Sequence, residues 1–486
     1  MAAIVIGVDS STQATKALAV DVESGEVVGT GRAPHTVRGT GGARESDPEQ
    51  WWDALRAALE ATGRAGEAAA VSVGGQQHGL VALGADGRPV RPALLWNDVR
   101  PAPQAERLVA ALGGPQEWAR RIGSVPTAAF TAAKWAWLRA NEPEAAARVR
   151  GIRLPHDYLT GRLLGDALRH GVTDRGDASG TGWWSAVTGA YAEEVLALPE
   201  VALDPALLPE VALPGKPVGE AAAGLPLRPG ALVATGTGDN MAAAAGLGLS
   251  AAGSGGTAVL SLGTSGTAYT ASARPAADPT GVVAGFADTL GGHLPLACTL
   301  NCTLAVDKTA ALLGLDRDAA ADSSGEVVML PFLDGERTPN LPYASGLLYG
   351  LRQGTTGAEV LRAAYEGAAY LLLAALDEVR AQAGGGGSPS GELLLIGGGA
   401  RGRVWLDVVR RLSGAPVRVP RADELVALGA AAQAAGLLTG EDAAAVAHRW
   451  QTATGPVHPA VRRDERACAR LAEAVARSGE LTARPL

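Results

Sequence analysis

Two segments of this chain share one pattern, a strand, a short polar turn and a second strand. The first, "IVIGVDSSTQATKALAV", starts at Ile4, and the second, "TAVLSLGTSGTAYTAS", runs from Thr257 to Ser272. In both, an apolar run stops at small and hydroxyl-bearing residues and then resumes, as in a β-hairpin. The repetition predicts two similar α/β domains whose polar turns face each other across a cleft.

Length and the remaining pattern agree with two domains. The chain has 486 residues, and a single core stops growing near about 250–300 residues. In the first half, Asp47 and Pro48 predict a helix start with Gln50 completing a capping box, and the strand "AAVSVGG" follows the helix. In the second half, a long helix is predicted from Thr356 to Ala383, followed by strand, helix, strand and helix. The intervening "GGGGS" is predicted to be a surface loop, because the same α/β pattern continues beyond it.

Composition excludes several classes of protein. A net charge of −8 and a pI near 5.5 argue against a nucleic-acid partner, which needs clustered Lys and Arg. The N-terminal "MAAIVIGVDS" predicts a first strand rather than a signal peptide, and the longest apolar runs are rich in Ala and Gly, typical of core helices rather than membrane spans. Three cysteines are expected to be buried thiols rather than a disulfide framework or a metal site. We therefore expect a cytoplasmic protein with no membrane partner.

The two polar turns are candidate phosphate sites. In the first, Asp9 ends a strand, and the hydroxyls and backbone N–H groups of Ser11, Thr12 and their neighbours can surround an anion. The Asp9 carboxylate suits Mg²⁺, which takes one or two carboxylates together with phosphate oxygens and waters. In the second, Gly263-Thr264-Ser265-Gly266 lets backbone approach a ligand closely. An ordinary hairpin turn is the alternative for each.

Three further stretches place polar or small residues at the end of a strand. Gly397, Gly398 and Gly399 are contiguous, so they do not form the dinucleotide fingerprint, but they leave room for a flat base or a ribose. Asp239 follows a strand in "GTGDN" and is either an accessible carboxylate or a helix N-cap. In "VGGQQHGLVAL", the side chains of Gln76, Gln77 and His78 stand between glycines.

Taken in order, these stretches resemble the FGGY carbohydrate kinases over almost the whole chain. The matching segments are "IGVDSSTQATK", "DPEQWW", "GGQQHG", "RPALLWND", "HDYLTG", "TDRGDASGT", "GDN", "SLGTSG", "GERTP" and "IGGGAR". The resemblance implies two ribonuclease-H-like (actin-type ATPase) domains, residues 1–246 and 247–486, with a catalytic cleft between them. It implies Mg²⁺-dependent transfer of a phosphoryl group from ATP to a sugar hydroxyl, and it is closest to members that act on the 5-hydroxyl of D-xylulose.

The resemblance also implies roles for individual residues. Asp239 is expected to be the catalytic base and Asp9 the carboxylate linked to the metal. The expected phosphate and nucleotide ligands are Ser11, Thr12, Gly263, Thr264, Ser265, Gly398 and Gly399. The expected sugar ligands are Gln77, His78, Trp96, Asp98 and Asn240. Gln and neutral His each offer a donor and an acceptor, as sugar hydroxyls do.

The sequence departs from the family pattern in three places. The first turn reads Asp-Ser-Ser-Thr where glycine is usual before the threonine. The side chain of Ser11 is therefore expected to affect how this turn contacts phosphate. Gln77 stands where some relatives have Met, and His156 stands where Lys is common. No role is assigned to His156 from the sequence.

Two other functions stay open at this level. One is a kinase for another sugar or polyol, such as L-ribulose, gluconate or glycerol. The other is a regulator that binds sugar or nucleotide without transferring phosphate. Such a repressor should carry a basic DNA-binding segment, and none precedes the first strand. Sugar and ATP are the expected partners in the favoured interpretation, and the oligomeric state, monomer or homodimer, is left open.

Overall fold

The structure is a computed structural model that describes residues 3–252, 257–341, 343–384 and 391–482. The predicted loop at Gly384–Ser388 lies, from residue 385 onward, outside the described residues.

The first half of the chain alternates strands and helices. Its strands are β1 (Ile4–Ser10), β2 (Ala14–Asp21), β3 (Val27–Pro34), β4 (Glu45–Ser46), β5 (Ala68–Gly75), β6 (Val81–Leu83), β7 (Ala93–Leu94), β8 (Gly151–Arg153), β9 (Val172–Thr173), β10 (Trp184–Ser185), β11 (Ala190–Tyr191), β12 (Glu210–Val211), β13 (Pro217–Glu220), β14 (Leu232–Ala234) and β15 (Thr237–Gly238). Its helices are α1 (Pro48–Ala61), α2 (Ala102–Ala111), α3 (Pro115–Ile122), α4 (Thr131–Asn141), α5 (Pro143–Ala147), α6 (Pro155–Leu163), α7 (Arg175–Ala178), α8 (Glu193–Leu196) and α9 (Asp239–Gly246).

The second half follows the same plan. Its strands are β16 (Ala258–Leu262), β17 (Gly266–Thr270), β18 (Ala284–Ala287), β19 (His293–Thr299), β20 (Val328–Leu330), β21 (Leu347–Tyr349), β22 (Leu393–Ile396), β23 (Val417–Arg418) and β24 (Val457–His458). Its helices are α10 (Thr303–Leu313), α11 (Gly357–Gln382), α12 (Arg403–Ser413), α13 (Leu425–Thr439), α14 (Ala443–Trp450) and α15 (Glu465–Thr482).

Each half is built on a seven-stranded sheet, and the centres of the two sheets have the same topology. The first sheet runs β13-β14-β5-β1-β2-β3, with β15 beside β5, and the second runs β18-β19-β17-β16-β22-β23-β24. β1 pairs antiparallel with β2 and parallel with β5, and β16 pairs with β17 and β22 in the same two ways. The predicted strand–turn–strand repeat is therefore confirmed.

The sequence predicted the N-cap residue of α1 correctly but not its capping box. The Asp47 side chain accepts a hydrogen bond from the Glu49 backbone N–H at 3.0 Å, as expected of an N-cap residue. The expected capping box is wrong, because the Gln50 side-chain oxygen accepts hydrogen bonds from Thr36 instead. The capping box appears at α11, between Thr356 and Glu359. The three cysteines are free and buried, as predicted.

Helix α13 comes from the second half of the chain but packs on the first sheet. It contacts β1 and β5 along one side and α9 along another. The backbones of these elements touch with no side chain between them, because a Cβ atom on Gly7 of β1 would lie 1.9 Å from the Ala427 carbonyl oxygen. A Cβ on Gly429 would lie 1.8 Å from the Ala242 carbonyl oxygen of α9. The small residues of α9 and α13 thus permit an approach that larger side chains would prevent.

The predicted boundary between residues 246 and 247 stays a prediction. Helices α13 and α14 lie beyond it in sequence and form a core cluster with β1, β2 and β5 of the first half. No helix in the described part of the chain is both long enough and apolar enough to cross a membrane.

The α9–α13 contact predicts opposite effects for two Gly→Ala substitutions in helices. Gly429→Ala forces the two backbones apart and should lower the free energy of unfolding by about 1–3 kcal/mol. Gly479→Ala in α15 adds a methyl group with nothing within 4 Å, so we expect a gain of up to about 1 kcal/mol from helix propensity. Thermal unfolding of the two variants checks the difference. Equal unfolding temperatures would show that the α9–α13 contact can accommodate a methyl group at position 429.

Candidate active site

The first polar turn is stabilised by hydrogen bonds within the turn and by one from Trp96. The Ser11 backbone N–H and hydroxyl both donate to the Ala14 carbonyl oxygen, at 3.0 and 2.9 Å. The indole N–H of Trp96 donates to Thr12 Oγ1 at 3.2 Å. Ser11 is thus accommodated by folding its side chain back on the turn, and the backbone of Ser11 is not in the left-handed region that would require glycine.

Asp9, at the end of β1, is a buried carboxylate that lacks full compensation. Burial raises its pKa to about 7, although nearby Lys16 opposes the rise. Its Oδ2 is 3.9 Å from Lys16 Nζ, and its Oδ1 has no hydrogen-bond partner among the described residues. An orphaned carboxylate oxygen beside a turn suited to phosphate fits a Mg²⁺ ion or one of its waters.

The second turn and the glycine run lie against each other. The Gly399 backbone N–H donates to the Leu262 carbonyl oxygen at 2.9 Å, and Thr303, at the start of α10, donates through its N–H and hydroxyl to the Gly263 carbonyl oxygen. A Cβ on Gly398 would meet nothing within 4 Å, whereas one on Gly399 would lie 3.0 Å from the Leu262 side chain. Gly398 therefore presents open backbone, and Gly399 is needed for packing.

A cavity of about 700 Å³ lies between the two halves of the chain. Its lining comes from both phosphate-turn strands, α9, the glycine run and the start of α13: Asp9, Lys16, Asp239, Asn240, Ala243, Ser261, Tyr269, Leu395, Ile396, Gly397, Gly398, Ala400, Arg401, Val419, Pro420, Ala422, Asp423, Glu424, Leu425 and Val426. The cavity thus brings together four of the predicted residues, Asp9, Asp239, Asn240 and Gly398. The predicted residues Gly263, Thr264 and Ser265 are not part of its lining and lie beyond Ser261, which is.

Asp239 is the first residue of α9 and does not cap the helix. The N-cap position is Gly238, and the Asp239 Oδ1 accepts hydrogen bonds from the N–H and the side-chain amide of Asn240, at 2.8 and 2.9 Å. Burial, with a further contribution from the charge of Asp177, raises its pKa to about 7. A carboxylate that exchanges its proton near neutral pH and faces a cavity is suited to acid–base chemistry.

The Gln77 amide lies beside Asp239, linked to it through Asn240. Its Oε1 accepts a hydrogen bond from the Asn240 side-chain amide at 3.0 Å. Its Nε2 is buried and has no partner among the described residues, and neither has the amide of the neighbouring Gln76. Buried amides usually find partners, so these unpaired groups are candidate contacts for a ligand with hydroxyls, although neither Gln76 nor Gln77 is in the lining of the 700 Å³ cavity. Gln76 was not among the predicted ligands.

His78 is held in one tautomer and in a strained backbone conformation. Its Nδ1 is 2.7 Å from the Gly180 carbonyl oxygen, which can only accept, so Nδ1 carries the proton and Nε2 is an acceptor. Burial lowers the pKa of the ring to about 3, which keeps it neutral. The ring stacks on Phe130 and lies against Phe286, with centroids 5.2 and 5.6 Å away. Its φ of 65° is unusual for a residue with a side chain and is a strain found mostly at functional positions.

Asp98 has internal partners for both carboxylate oxygens. It is fully buried and accepts hydrogen bonds from the Arg44 backbone N–H and from the backbone and side chain of Arg100. Its predicted contact with the sugar stays a prediction. The hydrogen bonds that the structure shows are with Arg44 and Arg100.

Gln433 of α13 was missed by the sequence reasoning. Its Oε1 accepts from the Ser72 hydroxyl at 2.5 Å and from the Gly236 N–H at 3.1 Å. Its Nε2 donates to the Gly236 carbonyl oxygen at 3.2 Å and to Thr289 Oγ1 at 3.1 Å. This saturated amide joins α13, β5 and the turn before Asp239. The available signal was a lone amide in the otherwise apolar stretch "LVALGAAAQAAGLL".

Comparisons with known proteins agree with this arrangement. The N-terminal domain of the FGGY family of carbohydrate kinases matches residues 4–246, and its C-terminal domain matches residues 258–437. The chain belongs to the FGGY family of carbohydrate kinases. The kinase is 63% identical to a xylulose kinase of Streptomyces coelicolor over 465 residues, which is 95% of this chain and 94% of that protein. It is also 63% identical to a xylulose kinase of Streptomyces rubiginosus over 472 residues, 96% of this chain and 95% of that protein.

A solved structure supports the fold as well. The crystal structure of a xylulose kinase from Bifidobacterium adolescentis superimposes with a TM-score of 0.83 and 36% identity, covering 98% of this chain and 99% of that one. The expected fold class, two actin-type ATPase domains around a cleft, is confirmed, and so is the expectation of a carbohydrate kinase.

The raised pKa of Asp239 predicts a pH-dependent gain of stability in Asp239→Asn. Because the pKa of this carboxyl rises from 3.8 to about 7 on folding, its ionised form costs folding free energy. The cost is absent near pH 4 and grows as the pH rises to 7 and above, to at most about 4 kcal/mol. Asn carries no charge and its Oδ1 can keep both bonds from Asn240.

We therefore expect the unfolding temperature of Asp239→Asn to exceed that of the unmodified kinase at pH 8, by less at pH 5, and to converge with it near pH 4. Asp53→Asn, at an exposed position of α1, is the matched control and should show no such trend. A pH-independent difference for Asp239→Asn would contradict the assigned pKa.

Proposed function

We propose that this kinase transfers the γ-phosphoryl group of ATP to the 5-hydroxyl of D-xylulose, with Asp239 as general base. The observation that carries the choice of sugar is the 63% identity, over 95% of the chain, to a protein named xylulose kinase. The observation that supports the choice of base is the position of Asp239, a carboxylate with a pKa of about 7 on the wall of the cleft. The proposal places the reaction in the cytoplasm.

The sugar is proposed to bind against Gln77, His78 and Asn240. The unpartnered Gln77 Nε2 donates to one hydroxyl, and His78 Nε2 accepts from another. Since both side chains are fixed by existing hydrogen bonds, little ordering remains to be done on binding. A site that pairs buried polar groups with hydroxyls rejects analogues that lack them. The predicted contact of Trp96 with the sugar stays a prediction, and its hydrogen bond to Thr12 Oγ1 would also help to fix the first turn.

ATP is proposed to bind along the cavity with its phosphates at the two polar turns. Backbone N–H groups and hydroxyls of Thr12, Thr264 and Ser265 would donate to phosphate oxygens. Ser11 would join them only by giving up the bonds from its N–H and hydroxyl to the Ala14 carbonyl oxygen. Gly263 keeps the second turn compact, and the open backbone of Gly398, packed through Gly399, would lie against the nucleoside. Mg²⁺, held at Asp9 directly or through water, would neutralise phosphate charge.

The chemical step is an in-line displacement. The 5-hydroxyl oxygen bonds to the γ-phosphorus as the bond from that phosphorus to the β,γ-bridging oxygen breaks, which releases ADP. Asp239 takes the hydroxyl proton as the new bond forms, a contribution typically worth about 10²–10⁴-fold. Positioning and electrostatic stabilisation supply most of the remaining acceleration in phosphoryl transfer. Asn240 keeps the Asp239 carboxylate oriented through Oδ1.

The first test is ADP release by the purified protein with ATP and Mg²⁺ across a panel of acceptors. We expect strong preference for D-xylulose over L-xylulose, D-ribulose, L-ribulose, gluconate and glycerol, with a low rate when no sugar is present. Asp239→Asn should bind the sugar but lose at least about 10²-fold in kcat. Preference for another acceptor would overturn the choice of sugar, and near-normal turnover by Asp239→Asn would overturn the choice of base.

A second test isolates the acceptor atom of His78. His78→Asn keeps an N–H in place of Nδ1, tolerates a positive φ and lacks Nε2. We expect the KM for the sugar to rise about 5- to 10-fold, the cost of one hydrogen bond, with the KM for ATP unchanged. Steady-state kinetics with each substrate varied in turn measures both constants. A sugar KM equal to that of the unmodified kinase would place the sugar elsewhere.

A further inference from the structure

The His156 imidazole is buried directly behind the turn that carries Asp239. The residue is the second of α6 and is 0% exposed. A Cβ on Gly236 would lie 2.8 Å from His156 Cδ2, and a Cβ on Gly75 would lie 3.0 Å from His156 Cβ. The ring therefore lies against Gly236, the residue that begins the turn Gly236–Asp239, and the backbone and Cβ of His156 pack against Gly75 at the end of β5.

Carboxylates face both nitrogens of this ring. Nδ1 forms a hydrogen bond of 2.7 Å with Asp177 Oδ2, whereas Nε2 lies 3.2 Å from Asp157 Oδ1 and 3.9 Å from Asp174 Oδ1, at ion-pair distance but without an aligned hydrogen bond. A neutral imidazole would turn one lone pair toward a carboxylate. Both nitrogens therefore carry a proton, and the ring is a cation among three buried acids.

The cluster is connected to the catalytic turn by hydrogen bonds. Asp174 Oδ2 accepts from the Thr237 hydroxyl at 2.8 Å and from the Gly176 N–H at 2.9 Å. Thr237 lies two residues before Asp239, in β15. The positive charge of the ring thus attracts the Asp174 carboxylate. Asp174 in turn fixes, through its hydrogen bond from Thr237, the strand that leads to the proposed base.

We infer that His156 is a permanently protonated positioning residue, a buried imidazolium that fixes the Asp239 turn through Asp174 and Thr237. The inference rests on the proposed role of Asp239. It also explains how three aspartates can be buried around one ring where α6 and α7 meet: without a cation, their mutual repulsion and the lost hydration would oppose burial.

The electrostatics of the surrounding groups agree. Burial alone would lower the pKa of His156, but Asp157, Asp177 and Asp174 raise it to about 9. The remaining charged neighbours are Arg153, which acts on Asp157, and, on the far side of Asp177, Asp239 itself.

Beyond Asp239 lie Asp9 and Tyr269, which sense the charge of Asp239 but are not in the cluster. Gly236, which packs against the ring, and Gly75, which packs against the His156 Cβ and backbone, carry no charge.

The decisive measurement is the protonation state of His156 in the intact kinase. In protein labelled with ¹⁵N-histidine, one set of ring resonances should vanish in His156→Gln. We expect that set to report two protonated nitrogens at pH 7.5, where an ordinary histidine with a pKa near 6.5 is mostly neutral. Ring shifts of a neutral imidazole would overturn the inference, whatever Asp239 does.

Kinetics test the positioning role. His156→Gln should lose about 10- to 100-fold in kcat, the size of effect expected when a reacting group is displaced, with less than about threefold change in the KM for the sugar. His156→Lys restores a cation in the same place and should recover most of the loss. The control is His170→Gln, at an exposed histidine, which should match the unmodified kinase.

The outcomes separate this inference from the function it rests on. Turnover by Asp239→Asn would remove the base but leave the resonances of a doubly protonated His156 in place. Full kcat in His156→Gln, or no better turnover in His156→Lys than in His156→Gln, would remove the positioning role even with Asp239 confirmed. If His156→Gln does not fold, the spectrum of the unmodified kinase and the activity of the Lys variant decide.

Discussion

The cleft depends on the contact between α13 and the first half of the chain, which is made at backbone distance. At Gly7, Gly246 and Gly429 no atom larger than hydrogen fits between the partners. This closeness brings α13 of the second half next to the turn that carries Asp239 in the first half, and the Gln433 side chain forms hydrogen bonds with both backbone groups of Gly236. A helix held one side-chain diameter further away could not make these bonds. The shape of the site is therefore fixed by the lack of side chains where α13 crosses.

The site places acids where burial is costly. Asp9 and Asp239 both have pKa values near 7 because burial penalises their charged forms. Ordinary cores avoid such groups, and the free energy they cost is offset by packing elsewhere. The cost also has a use, since a carboxylate released from full hydration is a better base and a better ligand for a cation. His156 limits this cost for the three aspartates behind the turn, while Asp9 and Asp239 stay under-compensated on the cavity side.

Local patterns in the sequence were enough for the repeated hairpin, the strand-to-helix position of Asp239 and the glycine run, because each depends on neighbours within a few residues. The packing of α13 on the first sheet was not predictable in this way. It joins Gly7 to Ala427 across more than 400 positions, and a run of alanines reads equally well as any buried helix. His156 was seen but given no role, since its three acids lie at 157, 174 and 177 and converge only when α6 and α7 meet. Gln50 shows the converse. It fits a local capping pattern, but its side chain accepts a hydrogen bond from Thr36 instead.

The two ends of the cleft are held differently, and this bears on how it can close. At the His78 end, Phe286 from the second half lies against His78, and the Ala287 N–H donates to Ser179 Oγ of the first half at 3.0 Å. Arg175 adds a hydrogen bond to the Gly292 carbonyl oxygen at 2.6 Å. At the other end, the cavity of about 700 Å³ separates the glycine run from β1. A motion that keeps the contacts at the His78 end has to turn about them, so closure would change the separation of the two polar turns more than the surroundings of His78. Such a hinge would keep the proposed acceptor site formed while ATP enters, and it would bring the two turns together once the nucleotide lies between them.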